Sequence, residues 1–312
     1  MPFDLKYIND RISSDSKGFV AECELDYHDK IKLSAQEIAA NINKSHLVLL
    51  SGPSGSGKTT TAQKITEALA VLGVRAHSVP LDNYFLTRDN LNNIPLTPEG
   101  TPDLESPLYI DWSLLNQHLD DLDHGRDIVV PHFSFVTQSR DEAKAKHLRL
   151  EKDEIVVFEG IHALNSLITD TNPGAFRLYI SARSDTYDNG ELVFKGTWIR
   201  LVRRVIRDDL FRGADPMATI SMWANVRRGE KAYISPFKDT ANLKLDTSMP
   251  YEVAAMRDIA AEILSKAPNG AERFEELTWL LRSLRLFGDL DSTLIPADSV
   301  LREFIGGGTY KY

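Results

Sequence analysis

Eight consecutive residues constrain this chain more than any others: Gly52-Pro53-Ser54-Gly55-Ser56-Gly57-Lys58-Thr59, which satisfies G-x-x-x-x-G-K-[ST] in full. An apolar run at residues 47–50 enters the motif, and a helix-compatible stretch at 59–72 leaves it. That order gives the motif its physical sense. Glycines let the backbone curl so that successive N–H groups point inward, where they hold phosphate oxygens at a helix N-terminus. Lys58 then serves as a mobile charge for the β- and γ-phosphates, and the Thr59 hydroxyl as a ligand for Mg2+. The phosphate-facing set is Gly52, Ser54, Gly55, Ser56, Gly57, Lys58, Thr59 and Thr60, with ATP and Mg2+ as the implied ligands.

The flanking pattern predicts the architecture. Apolar runs at 47–50, 76–81, 128–130, 155–158 and 176–180 alternate with helical stretches at 59–72, 112–123 and 198–211. Buried strands separated by helices read as a mainly parallel sheet, here an α/β chain of the P-loop NTPase type with three layers, α/β/α. Residues 1–45 form a small N-terminal segment, with short strands expected at 19–25 and 31–33. A capping box, Ser34-Ala35-Gln36-Glu37, opens a helix to about residue 43. The core is expected over 46–268, and a C-terminal helical extension and tail over 269–312. Amphipathic helices are expected at 251–266 and 271–287, separated by Pro268-Asn269-Gly270, and GGGTYKY reads as a flexible end. Residues 86–110, rich in Asn, Pro, Thr and Asp, make a long excursion of the functional kind.

Composition narrows the partners. The 312 residues carry 36 Lys and Arg against 45 Asp and Glu, a formal net charge of −9. This balance argues against a dedicated nucleic-acid or membrane binder. Cys23 is the single cysteine, which excludes a disulfide framework and a multi-Cys zinc site. No apolar run approaches the roughly 18 residues of a membrane span, so a cytoplasmic location is expected. A homo-oligomer is allowed for. The positive charge is uneven: residues 200–231 hold eight basic and four acidic side chains. An acidic body with a basic arm suits a small polyanion held locally.

A P-loop alone does not say what becomes of the γ-phosphate. No N-K-x-D tetrapeptide follows, which argues against a GTPase. Asp82 ends the run 76–81 and Glu159 ends 155–158, and the carboxyl ends of neighbouring parallel strands converge on the ligand crevice. Asp82 is placed there to accept a proton from an attacking hydroxyl or to ligate the metal, and Glu159 to orient Mg2+. Asp82 capping a turn is the plainer alternative. Arg200, Arg203, Arg204 and Arg207 share one helix face, with Leu201, Val202, Val205, Ile206 and Leu210 on the other. Three readings of that face stand: a phosphate clamp, pairing with Asp208 and Asp209, or a nucleic-acid contact.

Taken together, the P-loop, LDNYF (Leu81 to Phe85), ESPLYID (Glu105 to Asp111), VPHFSFVTQSR (Val130 to Arg140), VVFEGIHALN, RLVRRVIRDDLFRG, WANVRRGEKAYISPF and IPADSVLREFIGG resemble the uridine kinase/phosphoribulokinase family, closest to bacterial uridine kinase-like nucleoside kinases. The resemblance runs in order from residue 46 to 307. It implies a kinase core with an arginine-bearing lid at about 200–236 that closes over ATP, with Asp82 as general base, Lys58, Thr59 and Glu159 handling phosphate and magnesium, and Arg203, Arg204 and Arg207 stabilising the transferring phosphoryl. The acceptor, a small hydroxyl compound, would meet Tyr84, Glu105, Phe133, Gln138 and Arg140, with Asp103 as a second candidate beside Glu105. The departures fall in that pocket. Uridine–cytidine kinases typically carry Tyr and His where Phe133 and Gln138 stand, and Asp where Glu105 stands. The expectation is an ATP-dependent kinase of a uridine- or cytidine-like nucleoside. Alternatives are a kinase of another polyol or sugar, or a non-catalytic ATP-binding regulatory module.

Overall fold

The computed structural model describes residues 2–87, 95–135, 137–266 and 274–310. The expected break at 268–270 and part of the 86–110 excursion lie outside these residues. Five parallel strands form the central sheet: β1 (Leu47–Ser51), β2 (Arg75–Pro80), β5 (Glu154–Glu159), β6 (Phe176–Ser181) and β7 (Leu243–Asp246), in the order β7-β6-β1-β5-β2. Alternate residues feed two cores. Val48 and Leu50 enter one with Ile155, Val157 and Leu178, whereas Leu47 and Leu49 enter the other with Val156 and Phe158. Both faces are covered, so the central strands read as unbroken apolar runs. α2 (Lys58–Val71) covers one face and α3 (Trp112–Asp123) the other.

Two runs behave differently from expectation. Residues 128–130 (β3, Ile128–Val130) do not join the sheet but pair antiparallel with β4 (Lys146–Leu148). Val129 between its buried neighbours is 46% exposed, the alternation of a ribbon covered on one face. Conversely β7, Leu-Lys-Leu-Asp, is too short and polar to be noticed in sequence, yet it completes the sheet edge beside β6.

Residues 5–41 contain no strand at 19–25 or 31–33. They form helix α1 (Leu5–Asn41), interrupted at Asp15, whose φ of −156° and ψ of 73° leave the helical region while its carboxylate accepts from the Gly18 N–H at 2.9 Å. The β-forming Phe19 and Val20 belong to a helical stripe with Cys23, Tyr27, Ile31, Ala35 and Ile38, spaced three or four apart and buried. Here tertiary burial outweighs β propensity. α1 packs on α2, and the Tyr27 hydroxyl hydrogen-bonds the Thr61 hydroxyl at 2.8 Å. Burial pushes the Cys23 thiol up to about 12, so it stays protonated and inert.

The C-terminal end is not a loose tail as far as residue 310. Thr309 N–H donates to the Ala297 carbonyl at 2.9 Å, and the Tyr310 hydroxyl reaches Glu67 at 2.7 Å. The helix expected at 198–211 is α4 (Gly196–Arg212), followed by α5 (Pro216–Gly229), α6 (Glu252–Ser265), α7 (Phe274–Leu284) and the short α8 (Arg302–Ile305). α4 is no loose arm: Trp198, Ile199, Leu201, Val202, Val205 and Ile206 are buried, while Leu210, expected to pack, is exposed. No helix among the described residues is long and apolar enough to cross a membrane.

Because α1 shares one core with α2 and α4, it is expected to unfold with them. Phe19→Ala should lower stability by about 3–5 kcal/mol in a single urea transition. Val71→Ala, at an exposed position, should change it by less than about 0.5 kcal/mol.

Candidate active site

Strand register builds the site. Glu159 lies beside Leu50 on one side and Pro80 on the other. The carboxyl end of β5 is therefore level with the entry to the P-loop and with Asp82, two residues past Pro80 in a short 3-10 turn. A cleft of about 260 Å³ opens there, lined by Ser54, Gly55, Gly57, Lys58 and Thr59 of the P-loop with Asp82, Glu159, Arg204, Arg207, Arg212 and Glu303, while Gly52, Ser56 and Thr60 are not in its lining. Gly57 caps α2 with φ 78°, in the left-handed region, and a side chain on Gly52 would strike the Ile180 carbonyl at 2.2 Å.

A loop whose N–H groups turn inward must turn its carbonyls outward, and here those of Pro53, Ser54, Gly55 and Ser56 find donors. Lys58 Nζ donates to Pro53 O at 3.3 Å, Arg200 Nη1 to Ser54 O at 3.1 Å, Arg203 Nη1 to Gly55 O at 3.4 Å, and Thr247 Oγ1 to Ser56 O at 2.7 Å. The four arginines of α4 thus divide. Arg200 and Arg203 are fully buried behind the loop, ion-paired with Glu230 at 2.6 Å and Glu252 at 2.7 Å. Arg183 and Arg227 converge on the same Glu230. Arg203, expected at the transferring phosphoryl, is absent from the cleft lining. Its second nitrogen donates to Thr247 O at 2.8 Å, and it serves as a prop. Arg204 and Arg207 do line the cleft. Arg204 donates to Ser54 Oγ at 3.1 Å, and both arginines pair with buried Asp208, as does Arg212 at longer range.

The carboxylates are crowded. Burial pushes Glu159 up to about 7, with Asp82 and Glu303 adding to the effect and Lys58 opposing it. Asp82 still meets solvent in the cleft, but the surrounding walls desolvate it and push its carboxyl up, against the pull of Lys58 and Arg212. Burial draws the Lys58 ammonium down, opposed by Glu159, Glu303 and Asp82. Thr59 Oγ1 lies 3.3 Å from Glu159 Oε1. Hard oxygen donors with excess negative charge are what Mg2+ prefers, so Thr59, Glu159 and Asp82 fit a magnesium site.

The acceptor residues divide too. Glu105 lies within electrostatic reach of Arg204 and Lys58; burial pushes its carboxyl up, and its Oε2 is buried without a hydrogen-bond partner. Asp103 is buried and held by Arg228 at 2.6 Å and the Tyr233 hydroxyl at 3.0 Å. Arg140 pairs with Asp111 at 3.0 Å. Tyr84 is not brought to the cleft: its side chain is in the core, hydrogen-bonded to His118 at 3.0 Å. Phe133 packs edge-on against Phe85 and Phe135, and Gln138 sits exposed at a hairpin turn with φ 53°. Arg212, Glu303 and His162 are the residues sequence reasoning did not assign. His162 follows Glu159 by three positions, is 2% exposed, and burial pulls it down to about 4, leaving it neutral.

The sequence profile of the Phosphoribulokinase / Uridine kinase family matches residues 47–254. The chain belongs to this family. A uridine kinase of Halobacterium salinarum is 26% identical over 246 residues, covering 78% of this chain and 96% of the relative. One from Mycoplasma genitalium is 29% identical over 228 residues, covering 71% and 94%. A solved structure described as a possible uridine kinase from Bacillus stearothermophilus aligns at 17% identity with a TM-score of 0.48, covering 70% and 98%. The family consists of kinases that use ATP as phosphate donor and act on small hydroxyl compounds, and this chain is a phosphotransferase of that kind.

The burial of Glu159 makes a stability prediction. A carboxyl raised from 4.5 to about 7 on folding stabilises the fold while protonated, and that stability is lost as pH rises through 7. In EDTA, Glu159→Gln should therefore raise stability by about 1–3 kcal/mol near pH 8, discounting for partial solvation. The gain should fade toward pH 4.5, followed by urea denaturation at each pH.

Proposed function

We propose that the chain transfers the γ-phosphate of ATP to a hydroxyl of a nucleoside-like acceptor, the 5′-hydroxyl of a uridine- or cytidine-like compound, with Asp82 as general base. The carrying observation is that Asp82, just past the end of β2, and Glu159, at the end of the adjacent β5, line the same cleft as Lys58. The names of the relatives favour a nucleoside.

Asp82 takes the proton of the attacking hydroxyl, and its raised pKa makes it a stronger base than a solvated aspartate. Lys58 and the inward N–H groups of the P-loop hold the phosphate chain in line. Arg204 and Arg207 answer the charge on the transferring group, held in rotamer by Ser54 and Asp208. Thr59 and Glu159 would hold Mg2+, which supplies charge neutralisation along the phosphates. Glu105 offers a buried, unpaired carboxylate oxygen, an acceptor for an acceptor's hydroxyl groups.

A second reading, a polyol or sugar acceptor with no base, is favoured by a specific observation. The positions that would read a pyrimidine do not offer the groups for it: Phe133 lacks a hydroxyl and packs on Phe85, and Gln138 is at an exposed turn; the Tyr84 hydroxyl of the expected pocket is bound to His118.

Incubating the protein with Mg·ATP and a panel of nucleosides, sugars and polyols, with product mass as readout, tests both. A nucleoside 5′-phosphate is expected, a phosphorylated sugar alone would select the second reading, and no phosphorylated product would refute the kinase. Asp82→Asn should lower kcat by at least about a hundredfold with ATP affinity nearly unchanged. Lys58→Ala should weaken both affinity and rate. Glu105→Gln should raise KM for the acceptor about tenfold while leaving KM for ATP within about twofold, as loss of one charge-assisted hydrogen bond implies.

A further inference from the structure

Residues 300–304 lie beyond residues 47–254, the span that the family profile matches, yet they pack against the P-loop. Val300, Leu301 and Phe304 are fully buried, and Phe304 lies beneath the Arg203 guanidinium at 5.0 Å. Val300 reaches Gly57 so closely that a Cβ there would sit 2.6 Å from it. This anchoring aims Glu303 into the phosphate cleft. Its Oε2 accepts from the Thr60 hydroxyl at 2.6 Å and from the Thr60 N–H at 3.3 Å.

Thr60 is the third residue of α2, so its N–H is one of the donors a helix start leaves open. Gly57, the cap residue, has no side chain to satisfy it. An anion is favoured at such a position, and the inward N–H groups of a P-loop are where α- and β-phosphates are cradled. Glu303 is therefore an internal anion seated at the helix end of the cradle, with Lys58 within its field.

We propose that Glu303 is a donor-specificity residue: its carboxylate holds the Thr60 end of the cradle against the α-phosphate, so a nucleotide must displace it while a two-phosphate chain lying over Lys58 and Thr59 need not. This rests on the reading of the cleft as a nucleotide site. Removing the charge lowers the barrier to the longer ligand. The amide of glutamine still offers an oxygen to Thr60, which preserves the local fold.

Calorimetric titration of the full chain with Mg·ATP and with Mg·pyrophosphate tests this for the wild type, Glu303→Gln and Asp298→Asn. Asp298 sits just before residues 300–304 but pairs with Lys64 at 2.6 Å and does not line the cleft. Glu303→Gln is expected to bind ATP about tenfold tighter and pyrophosphate less than about threefold tighter, and Asp298→Asn to leave the ratio of the two affinities unchanged. ATP binding only by Glu303→Gln would also support the proposal. Equal gains for both ligands would overturn it, as would ATP affinity that is unchanged or weaker, since a carboxylate that merely caps α2 predicts the latter. The same shift in ratio from Asp298→Asn would overturn it too. Should neither protein bind ATP, the kinase reading falls with it; should both bind equally, only this inference falls. A melting curve on each variant, with the ratio taken within one protein, separates a loss of folded protein from a change of preference.

Discussion

The outward carbonyls of the P-loop are the constraint on which the rest of this structure depends. Turning N–H groups inward for phosphate leaves the carbonyls of Pro53, Ser54, Gly55 and Ser56 facing the protein, where an unmet acceptor costs about 1–3 kcal/mol. Lys58, Arg200, Arg203 and Thr247 supply one donor each. Two of those donors are charged and fully buried, which requires counter-charges: Glu230 comes from the segment after α5, and Glu252 opens α6. An uncompensated buried charge is far costlier than a missing hydrogen bond. The loop thus ties α4, the β7 end and α6 into one unit, and the phosphate site inherits their rigidity.

In front of the loop the charge is arranged for a ligand rather than for stability. Asp82, Glu159 and Glu303 lie within the field of Lys58, and Arg204, Arg207 and Arg212 of the same cleft gather around Asp208. The raised carboxyls of Asp82 and Glu159 record the cost of desolvating them in this cleft. A polyphosphate with its cation would meet both signs of charge, whereas a long nucleic acid would not enter a cleft of this size. Perturbed groups in one cleft are the signature of a site built for chemistry.

What could be read in sequence had a local cause. The P-loop is a run of adjacent residues, and the strand ends bearing Asp82 and Glu159 follow from apolar runs of the right length. Parallel register then brought those ends together, as the topology rule for open sheets requires. The segments that misled were those whose partners are distant. Phe19 and Val20 favour strands locally but are buried by α2 and its neighbours as part of a helix. The ribbon at 128–130 looked like a sheet strand because three apolar residues carry no information about pairing.

By itself the sequence determined the local pattern from which a phosphate site is proposed: a glycine-rich loop, a lysine, a hydroxyl and two acids, each marked by its own neighbours along the chain. Only the tertiary structure decided how four arginines with helical spacing divide their work. Helical periodicity says which residues share a face, and α4 lies across the P-loop so that this face meets outward carbonyls at Arg200 and Arg203 and the cleft at Arg204 and Arg207. It likewise decided that Glu303, more than 240 positions from Thr60, enters the cradle, and that Tyr84 and Gln138 do not face it. These outcomes depend on where separate elements pack, which no spacing along one element encodes.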